Sequence, residues 1–382
     1  MKHIYVGMSG GVDSSVTAAL LKQQGYQVTG VYMKNWTQDL PGMKCPWADD
    51  LADAKRVAVQ LDIPFKVFDF QKEYKQQVVN YMIAEYQAGR TPNPDIMCNQ
   101  EIKFDLFLRS AIADGADLIA TGHYARVAGG TGNWELGTRM KAPTALIESA
   151  VGVHTPSSPF PVPSSCLLTG LDKDKDQSYF LYRVTAQALA KSLLPIGELS
   201  KPQVRKLAAD FGLVTANKKD SQGICFVGKV GIKEFLQNYI TAQPGDIIDK
   251  KTGKVIGQHD GAIFYTIGQR HGLQVGGGLP YYVVGKDMAQ NKVYVTRDLN
   301  DESLWKKELT LTQLHWINSV PDSSRTYKVR VRYRAPLRDC QITSLTNTEM
   351  RLNLTEPERA ATAGQSAVLY DGERVIGGGI VA

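Results

Sequence analysis

The sequence predicts an α/β protein: a doubly wound parallel sheet in the N-terminal part, followed by two mostly β parts. Three observations lead there. Short apolar strand patterns alternate with helical patterns between Ile4 and Thr121. A glycine turn, Ser9-Gly10-Gly11-Val12-Asp13-Ser14-Ser15, separates the first strand from the first helix. From about Lys229 the helical period gives way to β-branched runs divided by glycine.

In chain order, Ile4 to Val6 reads as a short buried strand. Val16, Ala19, Leu20 and Leu21 then place an apolar face on a helix. Val28–Met33 is expected as a strand, Asp49–Leu61 as a helix, Phe65–Phe70 as a strand, Phe104–Ala113 as a helix and Leu118–Thr121 as a strand. Residues 126–166 break the pattern. Thr155 to Ser165 (TPSSPFPVPSS) is too proline-rich for regular structure, so this stretch reads as an extended insertion.

Helical periodicity resumes at Gln177–Leu194, and Ser200, Lys201 and Pro202 resemble a cap and first turn of a helix running to Phe211. A short helix ends at Tyr239. The segments GDIID, GKVIG, GAIFYTIG, YYVVG and KVYVT then read as strands of a small β unit. After a break near 300–305, alternation predicts strands at Tyr327–Ala335, Gln341–Leu345, Arg351–Leu354 and Ser366–Tyr370. The implied domains are 1–228, 229–302 and 303–382.

With 382 residues, 21% charged and 43% hydrophobic, the composition excludes a disordered or fibrous chain. No apolar run approaches the ~18 residues of a spanning helix, and Met1 to Met8 lacks a signal-peptide core, so a cytoplasmic protein without a membrane partner is expected. The five cysteines are dispersed with no CxxC pair, against a disulfide scaffold or a four-thiolate zinc site, and no residue is assigned as a metal ligand. The net charge of +6 permits a nucleic-acid partner without demanding one.

Backbone N–H groups of a glycine turn that opens a helix attract anions, so Gly10 and Gly11 mark a phosphate site. Neither a Walker Gly-Lys-Ser/Thr nor a G-x-G-x-x-G spacing is present, which weakens kinase and dinucleotide readings. Hydroxyls come from Ser9, Ser14 and Ser15 instead, and Asp13 is a candidate to orient Mg²⁺.

The string SGGVDSS resembles the pyrophosphate loop of ATP pyrophosphatases, enzymes that adenylate a carbonyl oxygen. Downstream motifs narrow the family. These are Gly89 to Asn99 (GRTPNPDIMCN), Thr121 to Tyr124 (TGHY), Lys175 to Phe180 (KDQSYF), Asp220 to Phe226 (DSQGICF), Thr266 to Arg270 (TIGQR) and Gly377 to Gly379. Together they resemble the tRNA-specific 2-thiouridylases over nearly the whole length, failing only between Arg126 and Leu167.

That resemblance implies a nucleotide α-hydrolase-like sheet domain, a small central β domain and a C-terminal β-barrel that grips tRNA. It also implies thiolation at carbon 2 of the wobble uridine, position 34, in tRNAs for lysine, glutamate and glutamine. Gly7, Met8, Ser9, Gly10, Gly11, Val12, Asp13, Ser14, Met33 and Gly122 would hold ATP, with Mg²⁺. Asp95 would be the acid/base group, Cys98 the catalytic thiol and Cys225 the carrier of a persulfide from a cysteine desulfurase or sulfur-relay protein. Asn93, Pro94, Asp95, His123, Lys175, Asp176, Gln177, Arg332, Tyr333 and Gln365 would meet tRNA. A monomer is expected.

Several residues carry expectations of their own. Pro92 and Pro94 should keep the Asp95–Cys98 segment out of regular helix. Lys218 and Lys219 should favour a thiolate or persulfide at Cys225. Cys166 and Cys340 read as small buried hydrophobes, Cys45 stays unassigned, and Tyr179, Phe180 and Tyr182 fit packing. Arg330, Arg332 and Arg334 alternate with Val329, Val331 and Tyr333, predicting a basic strand face. Two rivals stand beside the thiolase: another pyrophosphatase-loop ligase such as an ammonia-using one, and an RNA-binding protein that takes ATP only as a conformational ligand.

Overall fold

The structure is a computed structural model that describes residues 1–39, 47–129, 165–220, 231–273, 275–276 and 278–382. Strands β1 (His3–Gly7), β2 (Gln27–Lys34), β3 (Phe65–Asp69), β4 (Leu118–Ala120), β5 (Ala125–Ala128), β6 (Cys166–Thr169) and β7 (Ser192–Leu193) occupy its first part. Five of them form one sheet in the order β3-β2-β1-β4-β7, all parallel. The order reverses between β1 and β4, so their carboxyl ends leave the crevice where such sheets bind ligands.

Helices cover both faces. On one, Val12–Gln23, Trp47–Gln60 and Lys201–Asp210 pack Val16, Leu20, Val57 and Val204 against Ile4, Val6 and Val28. On the other, Tyr74, Val78, Met82, Ile102 and Phe107 pack against Tyr5, Val31 and Ile119. Burial on both faces explains why the strands read as continuous apolar runs.

Four strands, β8 (Gly245–Asp249), β9 (Val255–His259), β10 (Tyr282–Asp287) and β11 (Lys292–Thr296), form a second sheet in the order β10-β11-β8-β9. Then β12 (Trp305–Trp316), β13 (Thr326–Arg330), β14 (Arg338–Leu345), β15 (Glu349–Arg359), β16 (Ser366–Asp371) and β17 (Arg374–Val381) run β12-β15-β14-β13-β16-β17. Pairing of β12 with β17 closes them into a barrel, which leaves no exposed edge in that ring. The antiparallel hairpin β5–β6 joins it, Val375 pairing Leu167, so chain from the N-terminal part extends the C-terminal sheet. This hairpin brackets most of the proline-rich insertion, whose residues 130–164 lie outside the described residues.

The capping expectation at Ser200 holds: its backbone N–H donates to Gln203 Oε1 at 2.7 Å, and the helix is Lys201–Asp210. Four expectations do not hold. Gln177–Leu194 is not one helix but a 3₁₀ turn (Ser178–Leu181), a short helix (Ala186–Ala190) and β7. Tyr179 and Tyr182 are buried at 0% exposure, so the apolar spacing reports packing rather than helix continuity. GAIFYTIG is not a strand; Gly261 sits at φ +143° and Ala262–Phe264 turns, burying Ala262 and Ile263.

The third correction is at Asp95. Pro94–Met97 is helical, and the helix continues through a π-helical stretch, Cys98–Leu106, to Ala113. Pro94 occupies the first helical turn, where its missing N–H has no intrahelical partner to lose. Fourth, β13 ends at Arg330, and the chain turns through 331–334 with Arg334 at φ +61°. Alternation therefore stops before Arg332, and no single basic strand face forms.

Candidate functional site

The sequence places Gly7 to Ser15 between a buried strand and a helix, and the fold sets this turn at the crevice beside β4. Ser15 Oγ donates to Gly11 O at 2.8 Å and Ser14 Oγ to the same carbonyl at 3.1 Å, while Ser9 N–H donates to Ser14 Oγ at 3.1 Å. These bonds hold the turn at the start of the helix Val12–Gln23. Gly10 has φ +73°, and a Cβ there would stand 2.3 Å from Asp50 O. A Cβ on Gly122, just past β4, would stand 2.8 Å from Ser14 N. Met33 Cε lies 3.0 Å from where a Gly7 Cβ would be, so β2 also reaches the loop.

Asp13 does not stand open for a metal. Lys201 Nζ contacts its two carboxylate oxygens at 2.7 and 2.9 Å, and Tyr124 Oη donates to Oδ1 at 2.8 Å. Burial and the Asp13 carboxylate push the Tyr124 phenol far above its usual range, so it stays a donor. Lys201 also meets Asp220 at 2.8 Å, and Asp220 in turn meets Lys175 at 2.8 Å and Arg205 at 2.7 Å. Burial opposes ionisation of Asp220, yet the bonds from Lys175 and Lys201 hold its pKa down at about 2.

A second group of predicted residues lies on the helix that Pro94 starts. Asp95 and Cys98 are three residues apart and share a face. Asp95 is half-buried and Cys98 is 1% exposed, packed in the same core as Ile96 and Ile102. Asn99, next along, donates to Phe180 O at 3.1 Å. The approach to Asn93 is clamped from two sides: Thr91 N–H donates to Ala363 O at 2.9 Å, Gln365 Nε2 donates to Thr91 O at 2.7 Å, and Thr91 Oγ1 lies 3.2 Å from Thr266 Oγ1. Gln365 therefore links the barrel to the segment that leads into the Asp95 helix.

His123 is buried beside Gly122, its Nδ1 2.8 Å from Thr121 Oγ1. Burial, aided by the Lys103 ammonium, drives its pKa well below the usual histidine range, so the ring is neutral at pH 7. Gln177 pairs with the Tyr124 backbone through N–H to O at 2.8 Å and accepts from Tyr124 N–H at 2.9 Å. Asp176, 2% exposed, accepts from Gly170 N–H, Ser178 N–H and Arg330. Its carboxylate joins the sheet domain to the barrel instead of facing outward.

The barrel residues divide in the same way. Arg330 is mostly buried on Asp176 at 3.1 Å. Arg332 donates to Arg359 O at 2.9 Å and remains substantially exposed, Tyr333 packs on Phe180 with ring centroids 4.6 Å apart, and Arg334 is exposed. Arg330→Gln should therefore behave as a stability variant. Breaking a buried pair costs roughly 3–5 kcal/mol, read as a lower urea midpoint. Arg334→Gln should leave that midpoint in place and lower the slope of log K against log salt for tRNA by up to about one. Equal midpoints for the two variants would contradict this division.

Lys218 bridges Asp50 at 2.8 Å and Asp53 at 2.7 Å, while its expected effect on Cys225 concerns a thiol outside the described residues. Cys225 and Cys45 lie outside the described residues. Cys340 is buried, which pushes its thiol up to about 12, and Cys166 is half-buried with Asn318 Nδ2 at 3.9 Å. Sequence reasoning missed Lys201, Tyr124 and Thr91 as members of these sites. Lys201 read only as the first residue of a helix, and nothing local signals that its ammonium ends at a loop 188 residues earlier.

Comparisons with known proteins cover nearly the whole chain. Family models described as tRNA methyl transferase HUP domain, tRNA methyl transferase PRC-barrel domain and aminomethyltransferase beta-barrel domain match residues 2–147 with 158–229, 233–297 and 306–381. Curated relatives carry a sulfur-transfer name. The tRNA-specific 2-thiouridylase of Idiomarina loihiensis is 44% identical over 100% of this chain and 96% of its own. That of Haemophilus ducreyi is 46% identical (100% and 92%), and that of Bacillus mycoides 42% (99% and 94%). At such identity over full length, with a nucleotide-type loop at the sheet's switch point, the chain belongs to the tRNA-specific 2-thiouridylase family, tRNA sulfurtransferases that modify uridine.

Proposed function

We propose that this protein thiolates carbon 2 of the wobble uridine, position 34, in tRNAs for lysine, glutamate and glutamine, using ATP. The observation that carries this reading is the loop at the β1/β4 crevice, where Gly10 and Gly122 admit no Cβ and a helix N-terminus faces the opening. Residues Gly7 to Ser14, with Met33 and Gly122, hold the nucleotide. The uracil carbonyl oxygen attacks the α-phosphorus and pyrophosphate leaves. A sulfur nucleophile then attacks carbon 2, and AMP departs with the former carbonyl oxygen.

In this reading Cys225 holds the incoming sulfur as a persulfide delivered by a cysteine desulfurase or sulfur-relay protein. Cys98 attacks Cys225 Sγ, breaking the persulfide S–S bond and releasing its outer sulfur as hydrosulfide, the nucleophile that attacks carbon 2. The Cys98–Cys225 disulfide left behind is reduced by an external thiol. Asp95, on the same helix face as Cys98, serves as acid/base beside the target base. Asn93, Pro94, His123, Lys175, Gln177, Arg332 and Tyr333 belong to the tRNA surface, His123 as a neutral ring. Asp176 and Gln365 contribute by holding elements together. The loop offers one carboxylate, Asp13, and Lys201 already engages it. Mg²⁺ would therefore be carried by the triphosphate rather than held by Asp13, and would supply charge neutralisation to the phosphates. The acting form is a cytoplasmic monomer, divided at about 228 and 302.

Incubation with ATP, sulfide and unmodified tRNA, followed by mass spectrometry of the wobble nucleoside, tests the proposal. Sulfur replacing one oxygen, with AMP and pyrophosphate in equal amounts, is the expected result. ADP as the tRNA-dependent product would overturn adenylation, and binding without any product would leave an ATP-responsive RNA binder.

A further inference from the structure

We propose that Lys201 is a positioning residue for the nucleotide half-reaction, holding the Asp13 carboxylate of the loop in one orientation and tying it to Asp220. The inference rests on the reading that this loop binds ATP. An ammonium has three N–H donors in a tetrahedral arrangement. Lys201 Nζ lies 2.7 and 2.9 Å from the two Asp13 oxygens and 2.8 Å from Asp220 Oδ1, which occupies all three. Its side chain is only 10% exposed, and the ammonium sits 5.7 Å from the Tyr124 ring centroid while Tyr124 Oη donates to Asp13.

The backbone behind the ammonium is equally constrained. Lys201 opens the helix capped by Ser200, and its own N–H donates to Asp172 Oδ2 at 2.8 Å. Asp220 is pinned independently by Lys175 and Arg205. Two carboxylates (Asp13 and Asp220) thus face three cations (Lys175, Lys201 and Arg205), while Asp172 takes the Lys201 backbone N–H. Asp13 lies in the first turn of the helix that the loop opens, so a fixed Asp13 fixes the geometry of that first turn. In the chain Asp220 precedes Cys225 by five residues, so the bridge ties the nucleotide loop to the start of the DSQGICF motif.

Charge and geometry make opposite predictions for one variant. Asp220→Asn removes a negative charge near the bound triphosphate, so electrostatics alone would lower the KM for ATP. Loss of the tether would instead free Lys201 and Asp13 and raise it. Steady-state kinetics on the full chain with tRNA and sulfide should show the KM for ATP rising about tenfold in Asp220→Asn and in Lys201→Arg, with tRNA affinity within twofold of the parent. Arginine keeps the charge, but its planar fork cannot reproduce the convergent contacts. Arg205→Gln, which loosens Asp220 without touching Asp13, should move that KM less than twofold.

A KM for ATP that is unchanged or lowered in Asp220→Asn overturns the inference, as does full function in Lys201→Arg. An equal rise in Arg205→Gln also overturns it, because local stability would then explain every variant. If a variant folds poorly, the ATP-induced rise in its melting temperature is the second measurement, expected to shrink in Asp220→Asn and Lys201→Arg alone. Failure of the parent protein to form AMP would instead overturn the ATP reading on which the inference stands.

Discussion

Cys98→Ser should abolish donor-dependent thiolation yet keep a reducible sulfur label, whereas Cys225→Ser should lose both. The argument is one of bond types. A persulfide stores sulfur through an S–S bond that reducing agents cleave, and serine cannot form one. If Cys225 is the carrier, radiosulfur from a charged donor stays on the Cys98→Ser protein and is released by a thiol reductant. Adenylation uses neither sulfur atom, so both variants should still turn ATP into AMP in the presence of tRNA. The loss of product should be at least about a thousandfold, the scale seen when a nucleophile acting in a unit is removed. Label that follows Cys98 would reverse the two roles, and full activity of Cys225→Ser with its donor would end the carrier proposal. The 1% exposure of Cys98 adds a condition: the thiol must become accessible before it meets the persulfide, so alkylation of Cys98 should be slow in the protein alone and faster with tRNA.

Gly10→Ala should eliminate nucleotide binding, with AMP formation reduced by more than about a hundredfold. Two separable effects meet at this position. The left-handed φ of +73° costs a non-glycine residue about 1–2 kcal/mol, and a Cβ would collide with the Asp50 carbonyl at 2.3 Å. Backbone on both sides prevents an easy escape, so the loop or the helix Trp47–Gln60 must move. Gly25→Ala is the matched control, because Gly25 has φ +86° and nothing within 4 Å of its would-be Cβ. It should lose about the same conformational energy and leave the ATP-induced thermal shift intact. A normal ATP shift in Gly10→Ala would show that the loop tolerates a side chain and is not a close-fitting phosphate cradle.

The Asp176–Arg330 pair shows where a motif reading runs out. As a string, KDQSYF opens with Lys175, Asp176 and Gln177 side by side, and a shared outward surface is a natural expectation. In the folded protein Gln177 binds the Tyr124 backbone, Lys175 binds Asp220, and Asp176 is buried against an arginine 154 residues away. Neighbouring side chains of one motif face three different environments. The same happens at RVRYR, where a turn beginning after Arg330 ends the alternation that suggested one basic face.

What the sequence determined by itself is local in character. Apolar runs alternating with amphipathic segments required a sheet covered on both faces, Ser200 with Lys201 and Pro202 announced a helix start, and SGGVDSS between strand and helix marked an anion site, because each depends on residues within one or two turns of one another. Tertiary structure alone decided which charges meet. Lys201 reaches Asp13, Arg330 reaches Asp176 and Gln365 reaches Thr91 only because the sheet order and barrel closure bring distant segments together. Side-chain hydrogen bonds of this kind act over about 3 Å and carry no periodic trace in the sequence, so the chemistry was legible from motifs while its positioning network was not.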